Sequence, residues 1–208
     1  MKNHFYRIVI VMLITHYGVA AFAEDNRYNG PGFSATKVSV DGSDKQISQI
    51  YMNKKGFREE LLTNTPVKSI YISNYRLKKT WMVIPFKKIY SDMATMPGHQ
   101  QSTFTRSTMF DTTPCKGFNK TKKLAIKNIQ NQQIEEWGCI NTQSQDAILQ
   151  WFNPKTKMVI REQDKSGDLG DITISNIKFK QQPNALFELP GGYKEISMQK
   201  MMLMMQQP

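Results

Sequence analysis

The sequence predicts a mainly β protein, a curved or sandwiched antiparallel sheet with a short helix and loop as lid or plug. Three observations carry this. Apolar residues alternate with period two through most of the chain, turn signals separate the alternating stretches, and one polar stretch interrupts the rhythm. About ten short strands separated by tight turns fit an antiparallel sheet, curled or sandwiched.

The strands read in order as residues 33–40, 46–53, 56–63, 68–73, 80–85, 87–93, 122–136, 147–152, 157–162 and 171–180. Ile70 and Ile72 share one face, as do Trp81 and Val83. In the last strand Ile172 and Ile174 alternate, and the phase then shifts to Ile177 and Phe179, which predicts a β-bulge at Ser175-Asn176. Asp41-Gly42, Lys55-Gly56, Thr65-Pro66, Asn153-Pro154 and Ser166-Gly167 mark turns. Residues 94–119 are rich in Thr, Ser and Gln and hold Pro97, Gly98 and Pro114. They read as a short helix and a long loop, either a lid or plug over the sheet or a passive excursion.

Residues 1–23 read as a secretory signal peptide. Lys2 and Arg7 flank an apolar run of eight residues, and Ala21-Phe22-Ala23 forms a small-x-small cleavage site before Glu24-Asp25. The run is shorter than the roughly 20 residues that span a bilayer. The expected product is exported, periplasmic and soluble. Residues 24–196 form one β domain, and residues 197–208 a flexible tail.

Loss of Lys2 and Arg7 lowers the formal charge from +11 to +9. The remaining cations fall in doublets, among them Lys54-Lys55, Lys78-Lys79, Lys87-Lys88 and Lys122-Lys123. Doublets beside apolar strands read as solvated turns and edge protection, so nucleic acid is not an expected partner. Peripheral contact with an anionic membrane is compatible with the charge. Cys115 and Cys139 are an even count in an exported chain, which favours one structural disulfide over two free thiols. Such a bridge contributes roughly 3 kcal/mol through loop entropy.

Catalytic chemistry is sparse, and the expectation is a protein that is not an enzyme and carries no cofactor. His99 is the one histidine outside the signal peptide, too few for a histidine metal site. Neither a nucleophile elbow, a zinc-protease helix motif, a phosphate-binding loop nor a dinucleotide-binding glycine motif occurs. Glu59-Glu60 and Glu135-Glu136 are neighbours on strands and point to opposite faces, though carboxylates joined by the fold could act as a glycosidase pair. Met198, Met201, Met202, Met204 and Met205 crowd the C-terminus. Thioethers suit Cu(I), but with no neighbouring His or Cys the tail reads as frayed and weakly apolar.

A curved sheet of this length has more concave apolar surface than one short helix covers, and the remainder would form a cavity for an acyl chain or apolar peptide. Phe57, Arg58, Ile70, Ile72, Trp81, Val83 and Trp151 are the candidate ligand-binding residues. The alternative is an envelope-interaction or stress-sensor protein with a filled core.

Several stretches together resemble the periplasmic lipoprotein-carrier-like (LolA/LolB-like) superfamily. They are Gly56-Phe57-Arg58-Glu59, Thr80-Trp81-Met82-Val83-Ile84-Pro85 with Lys88-Ile89-Tyr90, Gly138-Cys139 followed by Trp151, and Ser175-Asn176-Ile177-Lys178 followed by Leu186-Phe187-Glu188-Leu189-Pro190-Gly191-Gly192-Tyr193. The resemblance covers most of residues 56–193 and is most specific at its C-terminal end. It implies an unclosed, strongly curved barrel with a helical lid over an apolar hollow. Lipid or lipidated protein is the partner it implies, or another envelope protein, and Arg58 would help hold the lid. The C-terminal motif also has a plain structural reading as a turn and final strand that closes the fold, with Phe187 and Leu189 in the core and Tyr193 packed back on the sheet.

Overall fold

The computed structural model describes residues 30–62, 69–93, 112–129, 131–165 and 170–206. The signal-peptide reading, His99 and residues 94–111 of the stretch 94–119 read as a short helix and loop lie outside these residues; residues 112–119 form turns. Twelve strands are present among the described residues: β1 (Phe33–Asp41), β2 (Asp44–Asn53), β3 (Gly56–Leu62), β4 (Ser69–Asn74), β5 (Lys79–Ile84), β6 (Ile89–Asp92), β7 (Lys120–Ile129), β8 (Gln132–Ile140), β9 (Ala147–Asn153), β10 (Met158–Asp164), β11 (Asp171–Phe179) and β12 (Lys194–Glu195). One helix, α1 (Met198–Gln206), follows.

All twelve strands join one sheet in the order β12-β6-β5-β4-β3-β2-β1-β11-β10-β9-β8-β7. It consists of two antiparallel meanders, β1 to β6 and β7 to β11, sewn together where β1 pairs with β11. Among the described strands only β12 runs parallel to its neighbour, β6. The sheet is curved and unclosed, with β12 at one edge and β7 at the other, as the alternation predicted. The short strands and hairpin turns follow from β-branched and aromatic alternation punctuated by residues that reach positive φ.

Phe33 and Ala35 on β1 pair with Met52 and Ile50 on β2, and Met52 pairs with Phe57 on β3. Directly paired residues share a face, so these side chains form one core with Met158 and Ile174. Ile70 and Ile72 pair with Val83 and Trp81 and build a second cluster on the opposite face. A third cluster lies between β5, β6 and α1.

The predicted bulge is present, one residue beyond the expected Ser175-Asn176. Thr36 pairs with Ser175 but Ser34 with Lys178, so two β11 residues, Asn176 and Ile177, oppose Ala35. Asn176 takes φ +52°, a conformation Asn tolerates.

Four expectations are corrected. Residues 122–136 are not one strand, because the chain reverses at Asn131 (φ +61°) to make the β7–β8 hairpin. The amide-rich sequence there lacks the Gly or Pro that usually marks a turn. Residues 87–93 begin their strand only at Ile89, because Pro85–Lys87 form a 3-10 turn that ends on Lys88 at φ +49°. Residues 186–190 do not form a final strand: Asn184–Phe187 make a 3-10 turn, and flanking Pro183 and Pro190 lack the N–H a ladder requires. The Met-rich tail is not frayed up to Gln206. It is helix α1, which buries Met198 and Met201 against Met82, Ile84 and Ile89.

The segment after β11 instead works as a strap over β2–β5. Asn53 Nδ2 donates to the Gln182 carbonyl at 3.2 Å, Arg58 Nη1 to Leu186 at 3.3 Å and Asn74 Nδ2 to Phe187 at 2.9 Å. Side-chain amides and a guanidinium thus satisfy carbonyls that a sheet ladder would otherwise occupy. Phe187 is fully buried, and Leu189 and Tyr193 cover the Ile70, Ile72, Trp81 and Val83 cluster.

Candidate functional site

An open groove of about 1060 Å³ lies at the other meander, between the β9–β10 turn, β11, the residues before β1 and the loop that carries Cys115. Phe152, Ile177, Phe179, Pro31, Pro114 and Pro154 give it apolar walls. Its volume exceeds the roughly 300 Å³ at which ligand pockets begin.

The bulge in β11 is what aims this wall. Ile172 and Ile174 face the Phe33 core, and unbroken alternation would put Asn176 and Lys178 on that side next. The extra residue places Ile177 and Phe179 there instead. Phe179 packs its ring on the buried Phe33, centroids 6.2 Å apart, yet remains 44% exposed toward the groove. A large aromatic held by a buried partner and open on its other side is a ready contact for an apolar ligand.

The turn that forms the opposite lip is fixed by Asn153. Its Oδ1 accepts the N–H groups of Lys155 (3.0 Å) and Thr156 (3.2 Å), and its Nδ2 donates to Gln132 Oε1 at 2.6 Å. This Asx turn presents the exposed Lys155 and Lys157 at the rim and draws Gln132 into the wall. Among the described lining residues there are two ammonium groups and no carboxylate. The site suits an apolar body with an anionic or neutral polar end.

The third wall is anchored covalently. Cys115 and Cys139 form a disulfide with Cα atoms 5.2 Å apart. Cys115 also donates its N–H to Gln150 Oε1 at 2.7 Å, and Gln150 Nε2 donates to Glu162 Oε2 at 3.0 Å. Gln150 is fully buried, so both ends of its amide are satisfied inside the fold. The bridge and this relay hold Thr112–Pro114 against the groove.

The seven sequence-derived candidates do not converge. Phe57 is buried in the Phe33 core. Ile70, Ile72, Trp81 and Val83 do meet, but under Leu189 and Tyr193 of the strap. Arg58 pairs with Glu60 at 2.7 Å and donates to Leu186, so it holds the strap. Trp151, near-buried, lies under the Arg161 guanidinium, 4.6 Å from its ring centroid. None of the seven lines the groove. Sequence reading did not single out as candidates Phe152, Ile177, Lys155 and Lys157, which line the groove. The phase shift in β11 was the signal for Ile177, and Asn153-Pro154 for the turn.

Three titratable groups elsewhere serve the structure. Glu59 accepts Lys37 Nζ at 2.9 Å and Ser48 Oγ at 2.6 Å. The Glu135 carboxyl is held below its usual range by Lys123, against some desolvation, with help from the Trp137 indole N–H. Burial pushes the Tyr75 hydroxyl up to about 12.

At the far edge, β7 is mostly exposed. Leu124, Ile126 and Ile129 are open to solvent, and Lys123 and Lys127 pair with Glu135 and Glu136 of β8.

No known family profile matches the chain, and no curated protein matches it. Solved structures do. MucB is similar at a TM-score of 0.53 and 8% identity, over 81% of this chain and 60% of MucB. A LolA superfamily protein from Nitrosomonas europaea has a TM-score of 0.37 and 9% identity, over 77% of this chain and 90% of its own. A putative outer membrane lipoprotein-sorting protein domain from Vibrio parahaemolyticus has 0.36 and 9%, over 76% and 89%. The chain spans about a third of another match, PNGF-II, and about three-fifths of MucB. At these identities the likeness is one of fold.

Proposed function

We propose that the protein is an exported, non-enzymatic binding protein of the periplasm that holds an acyl chain, or the apolar segment of a lipidated partner, in the groove beside Phe179. The observation that carries this is the open groove with Phe152, Ile177 and Phe179 on its walls and Lys155 and Lys157 at its rim. Transfer of apolar surface out of water drives binding at about 25 cal/mol per Å² before ordering costs. The lysines would receive a carboxylate or phosphate at the wet end. The LolA superfamily and lipoprotein-sorting neighbours are in keeping with such a role.

Titration with a fluorescent fatty-acid analogue tests it. Saturable binding by the wild type and a loss of about tenfold or more in Ile177→Asp is the expected result. Absence of saturable binding, or equal binding by a folded Ile177→Asp variant, counts against the groove.

A second reading rests on β7. Its open edge and exposed Leu124, Ile126 and Ile129 fit strand addition by another envelope protein. MucB has been crystallised in complex with MucA, which makes a protein partner a natural comparison. Ile126→Pro would abolish strand addition and leave acyl binding unchanged.

A further inference from the structure

A patch at the corner formed by α1 and the turn between β5 and β6 is independent of the groove. Phe86 is 66% exposed, Leu203 64% and Met202 44%. The turn and the helix that carry them are joined through the fold: Ile84 and Ile89, on either side of the turn, pack against Met198 and Met201 of α1. Lys87 Nζ donates to the Met204 carbonyl at 3.1 Å, joining the turn to the end of the helix.

An aromatic ring at the tip of a proline-started turn is costly to leave in water, and nothing in that turn requires it. Phe86 follows Pro85, and its own turn buries no residue. The Lys87 ammonium sits 5.6 Å from its ring centroid. Around the apolar residues stand exposed Lys87, Lys88, Lys194 and Lys200. Lys194 is beside Lys88, since its N–H donates to the Lys88 carbonyl at 2.9 Å. Residues 85–89 and 196–204 contain no acidic side chain. The nearby carboxylate, Glu195, accepts the Tyr90 hydroxyl at 3.1 Å.

We infer that this corner docks on an anionic lipid surface, with Phe86, Met202 and Leu203 entering the interface and the lysines meeting phosphate headgroups. Charge decides the occupant. A second copy of the chain would bring lysine against lysine, whereas an anionic bilayer offers both the apolar layer and the negative potential. Aromatic and leucyl side chains beside lysines suit the headgroup boundary, because lysine stems lie along the apolar layer while their ammonium groups remain in water.

The test is co-sedimentation with vesicles of phosphatidylcholine alone and of phosphatidylcholine with phosphatidylglycerol at about two to one. The expected result is salt-sensitive binding to the anionic vesicles only. Phe86→Ser with Leu203→Ser, and separately Lys88→Glu with Lys200→Glu, should each weaken it by about tenfold or more. Lys87 is left unchanged because it holds the helix end. Circular dichroism melts of the variants confirm that they fold, and Ile177→Asp should sediment like wild type. Equal sedimentation of the folded Phe86→Ser/Leu203→Ser protein overturns the inference, as do equal binding to neutral vesicles and no binding at all. A lipid-free dimer dissolved by Phe86→Ser would also overturn it.

Discussion

Gly56 lies against Phe187 so closely that a Cβ on Gly56 would fall 2.8 Å from the Phe187 Cβ and 2.4 Å from the Ser73 carbonyl oxygen. The glycine that opens β3 is therefore the seat of the C-terminal strap. Gly56→Ala is expected to destabilise the protein by about 1–3 kcal/mol, the range for overpacking a well-filled site. Chemical denaturation measures it, and an unchanged midpoint would show that the strap is not seated there.

Trp81 is 6% exposed beneath the strap. Trp81→Ala should cost about 3–5 kcal/mol and leave acyl binding by the folded fraction unchanged. A melting temperature equal to wild type would return Trp81 to the list of ligand contacts.

The disulfide joins stability to the groove. Replacing Cys115 and Cys139 by Ser should cost about 3 kcal/mol, since the bridge spans 24 residues of sequence. It should also weaken the acyl probe, because Thr112–Pro114 lose their anchor. Parallel denaturation and probe titration, with and without reductant, measure both. Loss of stability without loss of affinity would separate the loop from the site.

Alkaline stability should report on Tyr75. Its folded value is raised from 10 to about 12 by burial, so the neutral phenol is the form the fold accommodates. The contribution is fully present below pH 10 and is lost as pH rises toward and through 12. Tyr71, also raised by burial and by Glu59, acts in the same direction. Tyr75→Phe should flatten the stability profile above pH 10. A variant that falls as steeply as wild type in denaturation at pH 9–12 would assign the loss to other groups.

Local alternation carried most of the sheet. Ile70, Ile72, Trp81 and Val83 were legible as one face because period two is imposed by the strand itself. The β11 bulge was legible for the same reason. What alternation does not encode is which of two faces the chain covers with itself. The buried state of the Ile70–Val83 cluster depends on Leu189 and Tyr193, more than a hundred residues away in sequence. Likewise Arg58 was read as holding a lid, whereas its long-range acceptor is the Leu186 carbonyl. The tail misled because five methionines have no sharp pattern, yet Met198 and Met201, three residues apart, fall on one helical face.

Native mass spectrometry of the purified protein, followed by organic extraction, tests the central claim most directly. The account predicts a co-purifying acyl species on the wild type that is absent from Ile177→Asp. An apo mass for wild type that stays apo after incubation with fatty acid and phospholipid would contradict it.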